Sequence, residues 1–155
     1  MSRHHVFALA CAFLTLASTP TAAEPPPVEI SSYWLFHREK SDNVRYHVCL
    51  SFINRSPQTV VAVRFHVYWL DAFNSTIANG RWDRVGSFAP DVTIDGPTDE
   101  SQFYLRSYDS SFTEKLKNCA HQDISERPQT AHVYVDEVRF QDGTIWRRQP
   151  AAVQR

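Results

Sequence analysis

The side chains in this sequence that could do metal or redox chemistry are its cysteines and histidines. Besides Cys11, near the N-terminus, the cysteines are Cys49 and Cys119. The histidines beyond residue 5 are His37, His47, His66, His121 and His132. A metal site on one strand or helix needs ligands at a fixed short spacing, such as His-x-His or His-x₃-His. None of these histidine pairs has such a spacing, so the sequence predicts no metal and no cofactor.

His47 and His66 remain the metal candidates, and their use depends on how the chain connects them. Both side chains point away from the apolar face of their predicted strands. If residues 54–58 form a hairpin turn, the two histidines become cross-strand neighbours. If residues 54–58 cross from one sheet to another, the histidines lie on opposite outer faces. We favour the crossing, and a periplasmic metal-binding protein that uses surface histidines is therefore the alternative function.

Motifs of the common enzyme classes are absent from the sequence. It contains no G-x-S-x-G, no P-loop, no G-x-G-x-x-G and no H-E-x-x-H, and it has only 4 glycines. The carboxylate pairs Asp99-Glu100 and Asp136-Glu137 are adjacent in sequence, so in strands the two members would face opposite ways. We therefore expect no catalytic residues and a protein that is not an enzyme, a hydrolase of unrecognised type being the other alternative.

The N-terminus has the three-part pattern of a signal peptide. An arginine precedes an apolar run of about a dozen residues, and small residues ending in Ala22-Ala23 follow it. We expect residues 1–23 to be a signal peptide, cleaved after Ala23, which predicts a secreted or periplasmic protein. Cleavage removes Cys11, so Cys49 and Cys119 have only each other as partners in an oxidising compartment. The sequence therefore predicts a Cys49–Cys119 disulfide.

The charge balance argues against two classes of partner. The formal net charge is −1 at pH 7, which favours neither nucleic acid nor an anionic membrane surface. No second apolar run is long enough to span a bilayer, so no stable membrane insertion of the mature chain is expected. The remaining partner class is another envelope protein.

The elements that must position these side chains are β-strands. Residues 44–70 alternate apolar and polar side chains on either side of a break at Asn54-Arg55-Ser56-Pro57, which is typical of two half-buried strands. The predicted core consists of Val48, Leu50, Phe52, Val63, Phe65 and Trp69. Residues 24–27 are an extended leader, residues 28–149 form the domain, and residues 150–155 are a tail. Turn signals at short intervals predict about seven strands in a sandwich.

Three further local predictions concern the second half of the chain. A capping box at Ser111 and apolar spacing predict a short helix over 111–119, with Cys119 on its apolar face. The predicted disulfide ties this helix to the outer face of a sheet. A change of parity after Val135 predicts a bulge or break at Asp136-Glu137. The loop Gln141-Asp142-Gly143 predicts a hairpin that pairs Phe140 with Thr144 and Val138 with Trp146, and Asn79-Gly80 predicts a turn.

Aromatic and arginine side chains outside the inward-facing pattern are candidates for an interface. Mixtures of exposed aromatic residues and arginine are typical of interface centres. The candidates in this sequence are Trp82, Arg84, Tyr104 and Tyr108. The competing interpretation is that these side chains cover a loop or helix from the protein side.

The two strands and their break resemble a known family. The pattern F-x-N-x-S followed by V-x-V-x-F-x-V-x-W-x-D is similar to that of FxLyD-type and related immunoglobulin-like domains of small secreted bacterial proteins. The residues that carry it are Phe52, Asn54, Ser56, Val63, Phe65, Val67 and Asp71. The resemblance implies an immunoglobulin-like β-sandwich and an accessory or interaction role, with no catalytic residues to transfer. The helix and the Cys49–Cys119 pair depart from it.

Overall fold

A computed structural model of the chain describes residues 24–40, 43–97, 115–124 and 127–149. The predicted signal peptide (1–23), the tail (150–155) and the first part of the predicted helix (111–114) lie outside the described residues. Within the described ranges, no helix is both long enough and apolar enough to cross a membrane.

The described residues form eight strands in two four-stranded antiparallel sheets. In chain order the strands are β1 (Val28–Lys40), β2 (Asn43–Asn54), β3 (Val60–Leu70), β4 (Thr76–Phe88), β5 (Thr93–Ile94), β6 (Cys119–Ile124), β7 (Thr130–Phe140) and β8 (Ile145–Arg147). The first sheet has the order β1-β2-β5, and β6 also pairs with β2. The second sheet has the order β4-β3-β7-β8. The predicted all-β class is confirmed.

The core lies between the two sheets. It contains the apolar side chains that occupy alternate positions of β2 and β3. The six predicted core residues, Val48, Leu50, Phe52, Val63, Phe65 and Trp69, are all 0% exposed. The rings of Phe52 in the first sheet and Phe65 in the second lie 5.3 Å apart. Such aromatic contacts add to the free energy gained from burying apolar area. Parity along β2 and β3 therefore determines which faces of the two sheets meet.

The break at residues 54–58 is a crossing between sheets, as predicted, because β2 and β3 lie in different sheets. The side chain of Asn54, which is 0% exposed, fixes this crossing. Its Nδ2 donates to the carbonyl oxygens of Gln58 (2.7 Å) and Phe88 (2.9 Å). Its Oδ1 accepts from the backbone N–H of Ser56 (3.0 Å) and from the Ser56 hydroxyl (2.7 Å). Every hydrogen-bonding position of the amide is thus used, as a buried polar group requires.

The predicted C-terminal hairpin and bulge are both confirmed. Val138 pairs with Trp146, and the N–H of Phe140 donates to the carbonyl oxygen of Thr144 (3.0 Å). Gly143 has a φ of 89°, the left-handed conformation that glycine adopts without steric cost. Arg64 pairs with Glu137 and Phe65 pairs with Val135, so residue 136 has no partner on β3 and the register shifts there. Strand β7 therefore continues through a bulge at this position.

The turn predicted at Asn79-Gly80 is wrong. Both residues lie inside β4, where Asn79 pairs with Tyr68 and Gly80 pairs with Val67. An Asn-Gly pair favours a turn only weakly when a neighbouring strand offers a continuous ladder of hydrogen bonds. Pairing with β3 along nearly all of β4 outweighs the local turn signal.

The position predicted for Cys119 is also wrong. Lys115 and Leu116 are helical, but Cys119 begins β6 and pairs with Cys49 across the β2–β6 ladder. The disulfide itself is confirmed, with the two Cα atoms 4.0 Å apart. It joins neighbouring strands of one sheet instead of tying a helix to that sheet. A two-turn helix is marginal in isolation, and the open edge of β2 offers residues 119–124 a more stable alternative.

Strands β5 and β6 occupy the same edge of β2, one after the other. Phe52 pairs with Ile94, and Cys49 pairs with Cys119. Asn118, which is 1% exposed, joins the two ends: its backbone oxygen accepts from the N–H of Leu50 (3.1 Å), and its Nδ2 donates to the carbonyl oxygen of Asp95 (2.9 Å). The chain therefore leaves this edge beyond Asp95 and returns to it at Asn118.

Candidate binding face

The second sheet carries a cluster of aromatic side chains on its outer face. His66 and Tyr68 alternate with the inward-facing Phe65 and Val67 of β3. Tyr134 of β7 pairs directly with His66, so its side chain lies on the same face. We call the surface formed by His66, Tyr68, Tyr134 and Arg148 the tyrosine–histidine face.

Stacking and hydrogen bonds hold the rings of this face in place. The His66 and Tyr68 rings stack with centroids 4.5 Å apart, and the Tyr68 and Tyr134 rings stack at 5.8 Å. The Tyr134 hydroxyl lies 3.0 Å from Nδ1 of His66 and donates to the Tyr68 hydroxyl at 3.3 Å. The guanidinium of Arg148 lies 4.3 Å from the centre of the Tyr134 ring, within the range of a cation–π interaction.

The two ring nitrogens of His66 have different surroundings. Nδ1 shares a hydrogen bond with the Tyr134 hydroxyl, and which of the two donates depends on the imidazole tautomer. His66 is 6% exposed, and its Nε2 has no hydrogen-bond partner in the part of the chain that the structure describes. A buried polar atom without a partner costs about 1–3 kcal/mol.

Charged pairs surround the face. Arg64 forms a two-point contact with Asp83, at 2.7 and 2.9 Å, and this hydrogen bonding holds the pKa of the Asp83 carboxyl below its ordinary value. Arg81 contacts Asp136 at 3.1 Å, and Arg147 donates to Glu137 at 3.1 Å. These pairs are partly exposed, so each adds little to stability but keeps its side chains in a defined position.

Burial raises the pKa of Tyr134 to about 12, and its hydrogen bond to Tyr68 acts in the same direction. The folded protein should therefore show one phenol that ionises well above the ordinary value of about 10. Folding favours the neutral phenol, so its stabilising effect is complete below pH ~10 and is lost as the pH rises from ~10 to ~12. A near-ultraviolet absorbance titration of the wild type and of Tyr134→Phe measures this. The prediction fails if the phenol that is absent from Tyr134→Phe ionises near pH ~10 in the wild type.

An apolar groove adjoins the face. A cavity of about 660 Å³ is lined by the leader Pro25–Pro27 and by Val133, Tyr134 and Arg148, among others. A second cavity of about 340 Å³ is lined by Pro57, Trp146 and other residues, and Glu24, Pro27, Ser56 and Pro57 contribute to both cavities. Tyr134 and Arg148 thus belong to the tyrosine–histidine face and to the wall of the larger cavity.

Of the four residues that the sequence predicts for an interface, the structure describes Trp82 and Arg84. Trp82 packs against both clusters of the core, with its ring 5.2 Å from that of Phe65. Arg84 donates from Nε to Oδ1 of Asn118 (2.7 Å) and lies over the Phe88 ring. Both side chains are half-buried and make contacts within the fold. Tyr104 and Tyr108 lie outside the described residues.

The structure does not bring His47 and His66 together, because they lie on different sheets. It pairs His47 with His121 instead, with ring centroids 5.7 Å apart. The sequence carries a signal for this pair: His47-x-Cys49 and Cys119-x-His121 are mirror images, so an antiparallel pairing of the cysteines aligns the histidines. Among the residues that the structure describes, no group of three or more His, Cys, Asp and Glu side chains could hold a metal ion.

Comparisons with protein-family models, with curated proteins and with solved structures find no match to this chain.

Proposed function

We propose that the mature chain is a secreted or periplasmic, non-enzymatic interaction module that binds another envelope protein through the tyrosine–histidine face. The observation that carries this proposal is the fixed Tyr68–Tyr134–Arg148 arrangement on an outer sheet surface. Tyrosine and arginine are enriched among the residues that contribute most to binding at protein interfaces.

The internal contacts of the face support a role in binding. Side chains that are already stacked and hydrogen-bonded lose little conformational entropy when a partner binds. This favours a complex over the free protein.

The neighbouring groove supports the same surface. It offers apolar side chains beside the polar and charged ones, which matches the apolar centre and polar rim of a typical interface. Because Tyr134 and Arg148 belong to both features, one partner could cover the face and the groove together.

The strand order supports an immunoglobulin-like version of the sandwich. Taken in chain order, β1, β2 and the β5–β6 edge correspond to strands A, B and E, and β4-β3-β7-β8 correspond to C′-C-F-G. Two features depart from this pattern. Strand E is split into two pieces, and the disulfide links neighbouring strands of one sheet instead of spanning the core.

Photo-crosslinking from the face tests the proposal. A photoreactive phenylalanine derivative is introduced at Tyr68, and in a matched control at the exposed Thr93 of the other sheet. In cells that produce the full chain, we expect Tyr68 to yield one discrete crosslinked protein that Thr93 does not yield. We also expect Tyr134→Ala to reduce its amount.

Two results would contradict this function. One is the absence of any crosslinked protein from Tyr68 while the variant is folded and exported. The other is an identical set of products from Tyr68 and Thr93, which would indicate random collision.

A further inference from the structure

The outer face of the first sheet carries two histidines that are direct partners. His47 on β2 pairs with His121 on β6, two positions along from the pair Cys49 and Cys119. The imidazole rings lie 5.7 Å apart with their planes at 43°. His121 is exposed and His47 is half-buried. These side chains do not belong to the tyrosine–histidine face, which lies on the other sheet.

The hydrogen-bond pattern shows that the two histidines are as close as strand pairing permits. The N–H of Leu50 donates to the carbonyl oxygen of Asn118, so Leu50 and Asn118 are a hydrogen-bonded pair. Hydrogen-bonded and non-hydrogen-bonded pairs alternate along an antiparallel ladder. The His47–His121 pair is therefore of the non-hydrogen-bonded kind, in which opposite side chains approach most closely.

The ring separation suits one shared metal ion. A Zn–N bond is about 2.0–2.1 Å long, and the ring centre lies roughly another ångström beyond the nitrogen. At a tetrahedral angle, two rings on one ion have centres about 5 Å apart. The observed 5.7 Å is close to that value, so small side-chain rotations would allow both imidazoles to bind one ion.

We propose that His47 and His121 together form a binding site for a divalent transition-metal ion of the class that prefers imidazole, such as Zn²⁺, Cu²⁺ or Ni²⁺. Asp123 lies on the same face but forms a two-point contact with Arg45, at 2.7 and 3.0 Å. Among the residues that the structure describes, the two histidines are therefore the ligands, and water or a donor from a bound molecule completes the coordination. The ion crosslinks β2 and β6 beside the disulfide.

Calorimetric titration of the oxidised mature protein with Zn²⁺, and separately with Ni²⁺, tests this site. The variants are His47→Ala and His121→Ala, and the matched control is His132→Ala, which removes an exposed histidine from the second sheet. We expect the wild type to bind one ion per chain. Loss of an outer-shell partner alone typically weakens metal affinity 10–100-fold, so loss of either direct ligand should weaken it at least about tenfold. The His132→Ala control should bind as the wild type does.

A second measurement separates loss of the site from loss of the fold. Thermal unfolding without metal should be nearly the same for the wild type and for His121→Ala, and added Zn²⁺ should raise the midpoint of the wild type only. Unchanged affinity in both His47→Ala and His121→Ala would overturn the proposal, as would an equal loss in His132→Ala. Neither titration involves a protein partner, so its result is independent of the proposed function.

Discussion

Replacement of both Cys49 and Cys119 by alanine is expected to lower the free energy of unfolding by about 4 kcal/mol. The bond closes a loop whose ends are separated by 70 positions in the sequence, and its loss restores the entropy of that loop to the unfolded chain. It also holds β6 on the edge of β2, where Cys49 is 0% exposed. Equilibrium unfolding in urea of the oxidised wild type and the double variant measures the difference.

Two control measurements show whether the loss of stability comes from the disulfide bond itself. The wild type unfolded with a thiol reductant present should match the double variant to within about 1 kcal/mol, and each single cysteine variant should lose most of the same stability. Equal stability of the oxidised wild type and the double variant would contradict the expectation. Mass spectrometry that finds two free thiols in the non-reduced mature protein would do the same.

The second large effect is expected from Asn54→Asp. The new carboxylate keeps the two acceptor contacts to Ser56 but loses both donors, so its second oxygen faces the carbonyl oxygens of Gln58 and Phe88. A buried charge that faces two acceptors has no compensating interaction, and we expect a loss of at least about 3 kcal/mol at neutral pH.

The pH dependence of Asn54→Asp identifies the cause. In the folded variant the buried carboxyl favours its protonated form, so its pKa lies above the unfolded value of about 4. The deficit relative to wild type should therefore be smallest below pH ~4 and should grow as the pH rises above it. Asn79→Asp, at an exposed position of β4, is the matched control and should change stability by less than about 0.5 kcal/mol. Equal effects of the two variants would refute the assigned role of Asn54.

Sequence patterns predict the fold in segments where apolar alternation or a turn residue determines the local structure. In β2 from Val48 to Phe52 and in β3 from Val63 to Trp69 the core side chains occupy alternate positions, and burial of one face decides the parity of these segments. The hairpin at Gly143 is predicted for a similar reason, because only one register buries Trp146 and leaves Arg147 exposed. In these segments, local preference and long-range packing agree.

The misplaced segments are those in which a long-range contact decides the outcome. Residues 119–124 have no apolar alternation, since Ala120, Gln122 and Ile124 share a face. Their strand forms because β2 offers an unpaired edge and a cysteine partner, and neither appears in the local sequence. Asn79-Gly80 is a turn signal that pairing with β3 overrides.

The candidate binding face was missed for a related reason. Tyr68 and Tyr134 fall on the outward parity of their strands, which the sequence pattern assigns only to solvent. Their contact depends on the pairing of β3 with β7, two strands far apart in the chain. Trp82 falls outside the inward-facing pattern of the sequence, but along β4 it alternates with charged residues and packs its ring against the core.

The split edge of β2 brings two distant parts of the chain to adjacent positions of one strand. One end of the intervening segment is fixed by the carbonyl oxygen of Asp95, and the other end is fixed by Asn118 and the Cys49–Cys119 bond. Because Asn118 contacts both Asp95 and Leu50, Asp95 and Asn118, which are 23 residues apart in the chain, are held side by side on one strand. Truncation of the Asn118 side chain would therefore remove a contact that joins the end of β5 to the start of β6.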